Sequence, residues 1–193
     1  MPKQVDPNAQ RDEIRAAARR VFSRRGVRGT GLAHVAEAAG MGRSSLYHYY
    51  PDKQALLADL VREMLEQERL LFSSCLQGEG TPLARIDRLL AACARLFPEW
   101  AAFGRMILDL RLEDVASLGA YFGMLRDQLV DVITEGQADG SLAGELDAPL
   151  QASILIAAID GLLLQHFADP SALPEPGVLA EALRDAAHRL LTR

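Results

Sequence analysis

Aromatic residues are scarce in this chain of 193 residues, at 6% with a single tryptophan, and cysteine is scarcer still, at two. Cys75 and Cys93 have no His or Cys neighbours at ligand spacing, so they exclude a disulfide framework and a zinc site and read as reduced structural thiols. Long hydrophobic runs are missing too. The most apolar stretch, Ile154 to Leu164, is interrupted by Asp160 and falls short of the ~20 residues that span a bilayer. The N-terminal MPKQVDPNAQRDE lacks an apolar signal core, which predicts a cytoplasmic protein without membrane association. No G-x-S-x-G elbow, phosphate loop or H-E-x-x-H helix occurs, and His34, His48, His166 and His188 are scattered over different predicted helices. Nothing therefore supports an enzyme, a cofactor or a metal centre. No strand-like period-two alternation, low-complexity segment or repeat is present either.

What remains is helical sequence. At 49% hydrophobic and 24% charged, the chain has material for a real core. Helices are predicted at about Asn8 to Arg25, in two short segments before Pro51, and from Asp52 to Gln77. The next begins with Thr81 as cap and Pro82 at its first position and stops at Pro98. Others follow near Glu99 to Leu112, Asp114 to Ala138, Asp147 to Ala168 and Gly177 to Leu191, making an all-α chain of about nine helices. In the first, Ile14, Ala18, Val21 and Phe22 share one face, with Arg15, Arg19, Arg20 and Arg24 largely on the other.

Charge divides unevenly between the two ends. Residues 1–53 carry ten Lys and Arg against five Asp and Glu, a net +5, which leaves −10 on the remainder. A local positive face neutralises phosphates, while an acidic remainder stays off nucleic acid.

The most informative stretch is Thr30 to Lys53, TGLAHVAEAAGMGRSSLYHYYPDK. Leu32, Val35, Ala36 and Ala39 give the first short helix a single apolar stripe, and Gly40 ends it. The second short helix runs about Arg43 to Tyr49, boxed in by Pro51 and by Asp52, a good cap for the next helix. Two such helices joined by a tight turn make a helix-turn-helix.

Gly26 to Leu57, together with the upstream Ile14, Ala18 and Phe22, resembles the DNA-binding head of the TetR family of bacterial transcriptional regulators. The likeness is dense over the first third of the chain; beyond it, the chain resembles the family only in length, helical content and the late GSL and DGLLL segments. Gly31 and Gly42 stand where the family usually has a hydroxyl residue, and Ser44 where it has a glycine.

The resemblance implies an N-terminal helix-turn-helix domain, 1–53, and a helical effector-binding and dimerisation domain, 54–193. Arg43, Ser44 and Ser45 match groove-facing positions, with His48 one turn on. Arginine suits a guanine edge, and serine reads either kind of base. Thr30, Tyr47, Tyr49 and Lys53 match positions that touch the sugar-phosphate backbone, whereas Leu46 and Tyr50 read as core. In the second domain, Met64, Cys93, Phe97, Trp100, Phe103, Met106 and Phe122 gather soft and aromatic side chains that suit either core packing or a chamber for a largely apolar small-molecule effector. The helix Asp147 to Ala168 is apolar nearly all round. Leu155, Ala158, Ile159 and Leu162 are assigned to a homodimer seam, where the family packs this helix and the last one against their copies. The expected function is a ligand-responsive regulator, most plainly a repressor, on a palindromic double-stranded operator. The alternative is a helical ligand-binding or adaptor protein of the same fold that has lost DNA affinity, as Gly31, Gly42 and Ser44 would allow.

Overall fold

The computed structural model describes residues 6–107, 115–169 and 171–192, the side chains of 101–107, 115–117 and 167 excepted. Among the described residues it is all helix: α1 (Pro7–Arg25), α2 (Leu32–Ala38), α3 (Arg43–Tyr49), α4 (Lys53–Gln77), α5 (Pro82–Ile107), α6 (Val115–Ala138), α7 (Ala148–Ala168) and α8 (Pro176–Leu191). Two compact units share these helices. One is Met1–Glu63 with Arg105–Asp114, the other Met64–Gly104 with Val115–Arg193.

Among the described residues eight helices stand where about nine are expected, because α5 runs through Pro98. Proline removes one helical hydrogen bond and crowds the preceding turn, at a cost of ~3 kcal/mol or more. Packing outweighs it: Leu89, Leu90, Cys93, Ala94 and Phe97 before the proline and Trp100 after it are all buried, so breaking the helix would uncover one side of this face. Of the helix expected at Glu99 to Leu112, the part up to Ile107 is the end of α5, and the rest lies outside the described residues.

In the first unit α1 packs on α2, and α2 on α3. Ile14, Ala17, Ala18 and Phe22 of α1 meet Leu32, Val35 and Ala36 of α2, Leu46 of α3, and Leu56, Leu57 and Leu60 of α4 in a closed apolar core. Asp6 caps α1 by accepting from the Asn8 N–H at 2.9 Å, with Pro7 in the first turn where its missing donor is harmless.

In the second unit α6 and α8 both pack on α7. A continuous core joins Phe72 and Leu76 of α4, Ile86 to Trp100 of α5, Leu125 to Ile133 of α6, Ala152 and Leu155 of α7, and Leu179 to Leu191 of α8. Polar ties close the ends of this bundle. His188 Nε2 lies 2.9 Å from Asp87 Oδ1, and the Ala143 N–H donates to the Leu191 carbonyl at 2.9 Å. The apolar stretch of α7, Ala148–His166, is 19 residues, longer than the run read from sequence and long and apolar enough by composition to cross a bilayer. It is a bundle helix here, with Gln151, Ala152 and Leu155 buried against its neighbours.

Candidate nucleic-acid interface

The geometry of α3 is set before α3 begins. At the end of α2 the Met41 N–H donates to the Ala36 carbonyl at 3.0 Å and the Gly40 N–H to the Glu37 carbonyl at 3.1 Å. These crossed bonds form a Schellman close, which needs a left-handed residue; Gly40 supplies it at φ +66°. Gly31 offers no side chain as a cap for α2. Instead His34 Nδ1 accepts from the Gly31 N–H at 3.2 Å, the reciprocal half of a capping box.

Two side chains seat α3, Leu46 and, just past its end, Tyr50, both buried. With that edge fixed, Arg43, Ser44, Ser45, Tyr47 and His48 are all exposed and form one continuous polar face with an aromatic ring in it. Tyr49 is half-buried, and the Arg11 guanidinium lies 5.9 Å from its ring centre and 5.6 Å from that of Tyr50.

Thr30 and Lys53 both bond within the protein in this structure. Thr30 is buried, and its hydroxyl donates to the Gly26 carbonyl at 2.7 Å, holding a turn in which Gly26 has φ +72°. Lys53 Nζ donates to the Val27 carbonyl at 2.9 Å, so the same loop is pinned from α4. Both residues shape the approach to α2 by internal bonds, with the Thr30 hydroxyl facing inward instead of toward solvent.

A charged cluster that the sequence does not announce holds α4 to the head. Arg15 Nη1 donates to Asp59 Oδ2 at 3.1 Å, Arg19 Nη1 to Glu63 Oε2 at 2.9 Å, and the Tyr50 hydroxyl to Asp59 Oδ2 at 2.5 Å. Burial alone would push the Asp59 carboxyl up, but hydrogen bonds from Tyr50 and Arg15 outweigh it and hold it below its ordinary value. Burial, then the bond to Asp59, pushes the Tyr50 phenol up to about 12. A carboxylate with a depressed pKa adds stability that is present above its unfolded pKa and lost as pH falls through the folded one. A phenol with a raised pKa adds stability that is present below 10.0 and lost as pH climbs toward 12. Urea midpoints against pH should therefore fall on the acid side for the wild-type chain. Asp59→Asn should be less stable at neutral pH and flatter below about pH 4; parallel acid limbs for the two chains would show that Asp59 contributes nothing there.

In the second unit, Cys93, Phe97 and Trp100 are buried together and Met64 is half-buried against them. Trp100 meets Phe72 edge-on at 6.1 Å and Phe97 at 5.7 Å. Phe122 is exposed, with its ring against Tyr121 at 5.4 Å, and of the two it is Tyr121 that is half-buried against the core. The side chains of Phe103 and Met106 lie outside the described ones. A residue missing from the sequence reading is Glu68, which is buried among these rings and accepts from the Tyr121 hydroxyl at 3.1 Å. Its signal was positional: Met64, Glu68 and Phe72 follow one another at four-residue intervals on the inward side of α4.

Of the positions assigned to the seam, Leu155 is buried in its own unit's core, and Ile159 and Leu162 are half-buried against that core. Only Ala158 faces outward. The outward stripe lies one residue round the helix, at Leu150, Ile154, Ala157, Ala158 and Leu164, with Leu150 and Leu164 54% and 63% exposed.

Comparison with known proteins agrees with this architecture at both ends of the chain. Residues 14–60 match the family described as bacterial regulatory proteins, tetR family, and residues 85–192 match the C-terminal domain of BetI-type transcriptional repressors. The transcriptional repressor KstR2 of Mycolicibacterium smegmatis is 28% identical over 149 residues, covering 75% of this chain and 73% of its own. The transcriptional repressor BepR of Brucella suis is 27% identical over 163 residues, covering 79% and 78%. A TetR/AcrR-family regulator from Thermobifida fusca shares the fold with a TM-score of 0.78 over 93% of this chain and 96% of its own, at 20% identity. The family is regulatory, not enzymatic. With the helix-turn-helix and the helical C-terminal domain both matched, the chain belongs to the TetR family of bacterial transcriptional regulators.

Proposed function

We propose that the chain is a cytoplasmic homodimeric repressor whose two heads occupy a palindromic operator and release it when a small molecule binds in the helical domain. The observation that carries this reading is the face of α3, where Arg43, Ser44, Ser45, Tyr47 and His48 stand exposed together while Leu46 and Tyr50 fix the helix from behind. Arg43 is the base-reading residue, since its fork can donate to both acceptors of a guanine edge. Tyr47 and Tyr49 hold the sugar-phosphate backbone, and Thr30 and Lys53 keep the loop before α2 in place while Lys53 keeps a positive charge close by. The second copy covers the uncovered stripe of α7. A two-fold pair is what sets two reading helices about 34 Å apart, in successive major grooves.

Selection of bound sequences from a random DNA library tests this, followed by gel shifts over a range of salt. The expected result is a palindrome, with affinity falling steeply as salt rises. Arg43→Ala should cost about 1–3 kcal/mol on the selected site and relax preference at one base position in each half-site. If it weakens selected and random DNA alike, Arg43 holds a phosphate and the base-reading role passes to another residue of α3. Failure to select any sequence would favour the reading in which Gly31 and Gly42, which carry no hydroxyl for phosphate, mark a head that no longer binds DNA.

A further inference from the structure

Glu68 is 8% exposed, and its carboxyl is held by the Tyr121 hydroxyl on one oxygen with the Trp100 indole also interacting. The other oxygen, Oε1, is buried and has no hydrogen-bond partner among the described residues. A second carboxyl, Asp160 on α7, is near enough to act on Glu68, Tyr121 and Cys93 through space. Among the described residues, the groups acting on these two carboxyls include no Lys, Arg or His. Tyr121 and Trp100 adjoin the Glu68 carboxyl, and Phe72 and Phe97 pack against Trp100.

A buried carboxyl with an oxygen unpaired among the described residues, a second carboxyl of the same sign and aromatic faces together suit a cation. We propose that Glu68 anchors the effector through an ammonium group, so that the ligand class is a lipophilic aromatic amine. The ammonium donates to Glu68 Oε1, Asp160 adds attraction from α7, and the hydrophobic body packs on the rings. The free protein supports the same direction. Burial pushes Glu68 up to about 7 and the more open Asp160 up to about 6, so near neutral pH Glu68 is the carboxyl that an arriving cation recharges. This deepens the effector reading above and rests on it.

The test titrates the full-length chain at neutral pH with phenylbutylamine, phenylbutanol and phenylbutyrate, which share a skeleton and differ in the end group. Emission of Trp100, the single tryptophan, and calorimetry in two buffers report binding. The amine is expected to bind about tenfold or more tightly than the alcohol, as a hydrogen bond between charged groups implies, with the carboxylate weakest. Amine binding should release protons, seen as heat that depends on the buffer, because the ammonium recharges Glu68. Glu68→Gln should bring the amine down to the alcohol's affinity and leave the alcohol unchanged. Asp160→Asn, at an open position, should reduce the preference by a smaller factor and serves if Glu68→Gln folds poorly. An alcohol that binds as tightly as the amine, absence of binding by all three, or a preference that survives Glu68→Gln would overturn the proposal. None of these outcomes involves DNA, so they leave the operator reading to its own experiment.

Discussion

Ala158→Glu is expected to yield a well-folded monomer that has lost specific operator binding, although the substituted residue is far along the chain from α3. Ala158 is exposed in the single chain, on the stripe with Ile154, Ala157 and Leu164, so a glutamate there has water to face and leaves the bundle core alone. In a dimer the same carboxylate would be pressed against its symmetry copy in an apolar seam, which is unfavourable both by burial and by like charge. Sedimentation equilibrium should show the monomer, and the thermal unfolding curve should stay close to the wild type's own monomer limit. Operator affinity should fall by on the order of 10²-fold or more, the usual gain when two linked sites engage together. A dimer that persists, or a monomer that keeps full affinity for its operator, would remove the α7 stripe from the assembly.

Leu46→Ala is expected to have the opposite profile: an intact dimer with no working head. Leu46 is completely buried and is the one buried side chain within α3, a helix of seven residues that is too short to hold itself together. Removing such a side chain costs about 2–5 kcal/mol, a large share of the 5–15 kcal/mol that typically separates a folded domain from its unfolded chain. Hydrogen exchange should rise throughout α2 and α3, operator binding should vanish, and dimerisation and any effector binding in the second unit should be unaffected. Ser45→Ala is the control. Its exposed neighbour position predicts a stability change within about 0.5 kcal/mol, so any DNA effect there is one of contact. Normal protection of α3 in Leu46→Ala would mean that Tyr50 alone suffices to seat the helix.

Much of this was legible in the amino-acid order because local chemistry decided it. The bounds of α3 follow from Gly42, Pro51 and the cap at Asp52, whose side chain accepts from the Ala55 N–H at 2.8 Å. The start of α5 at Pro82 and the turn at Gly40 are likewise set by residues that permit few alternatives. What stayed hidden was decided at a distance. Pro98 looks like a stop until the buried faces on either side of it are counted. Arg15 and Arg19 look like solvated charge until α4 brings Asp59 and Glu63 against them, 44 residues away. Glu68 lies in the charged run EQER, and only its register with Met64 and Phe72 turns it inward. The stripe of α7 was visible as an excess of apolar residues, but a helix apolar nearly all round carries no mark of which side its own bundle will cover. That choice moved Leu155 inward and left Ile154 and Leu164 outside.

The first turns of α4 bear on how such proteins are recombined. Leu56, Leu57 and Leu60 are completely buried in the core of the first unit, and Asp59 and Glu63 pair with its first helix. The helix-turn-helix is complete before α4 begins at Lys53, yet the part of the chain that keeps it folded ends about three helical turns later. A chimera spliced at the end of the reading motif would graft α3 onto a foreign α4 and set strange side chains against Ile14, Phe22 and Arg15. A splice after Glu63 moves the recognition surface with its own foundation, and the natural unit of exchange between relatives is therefore longer than the motif that identifies it.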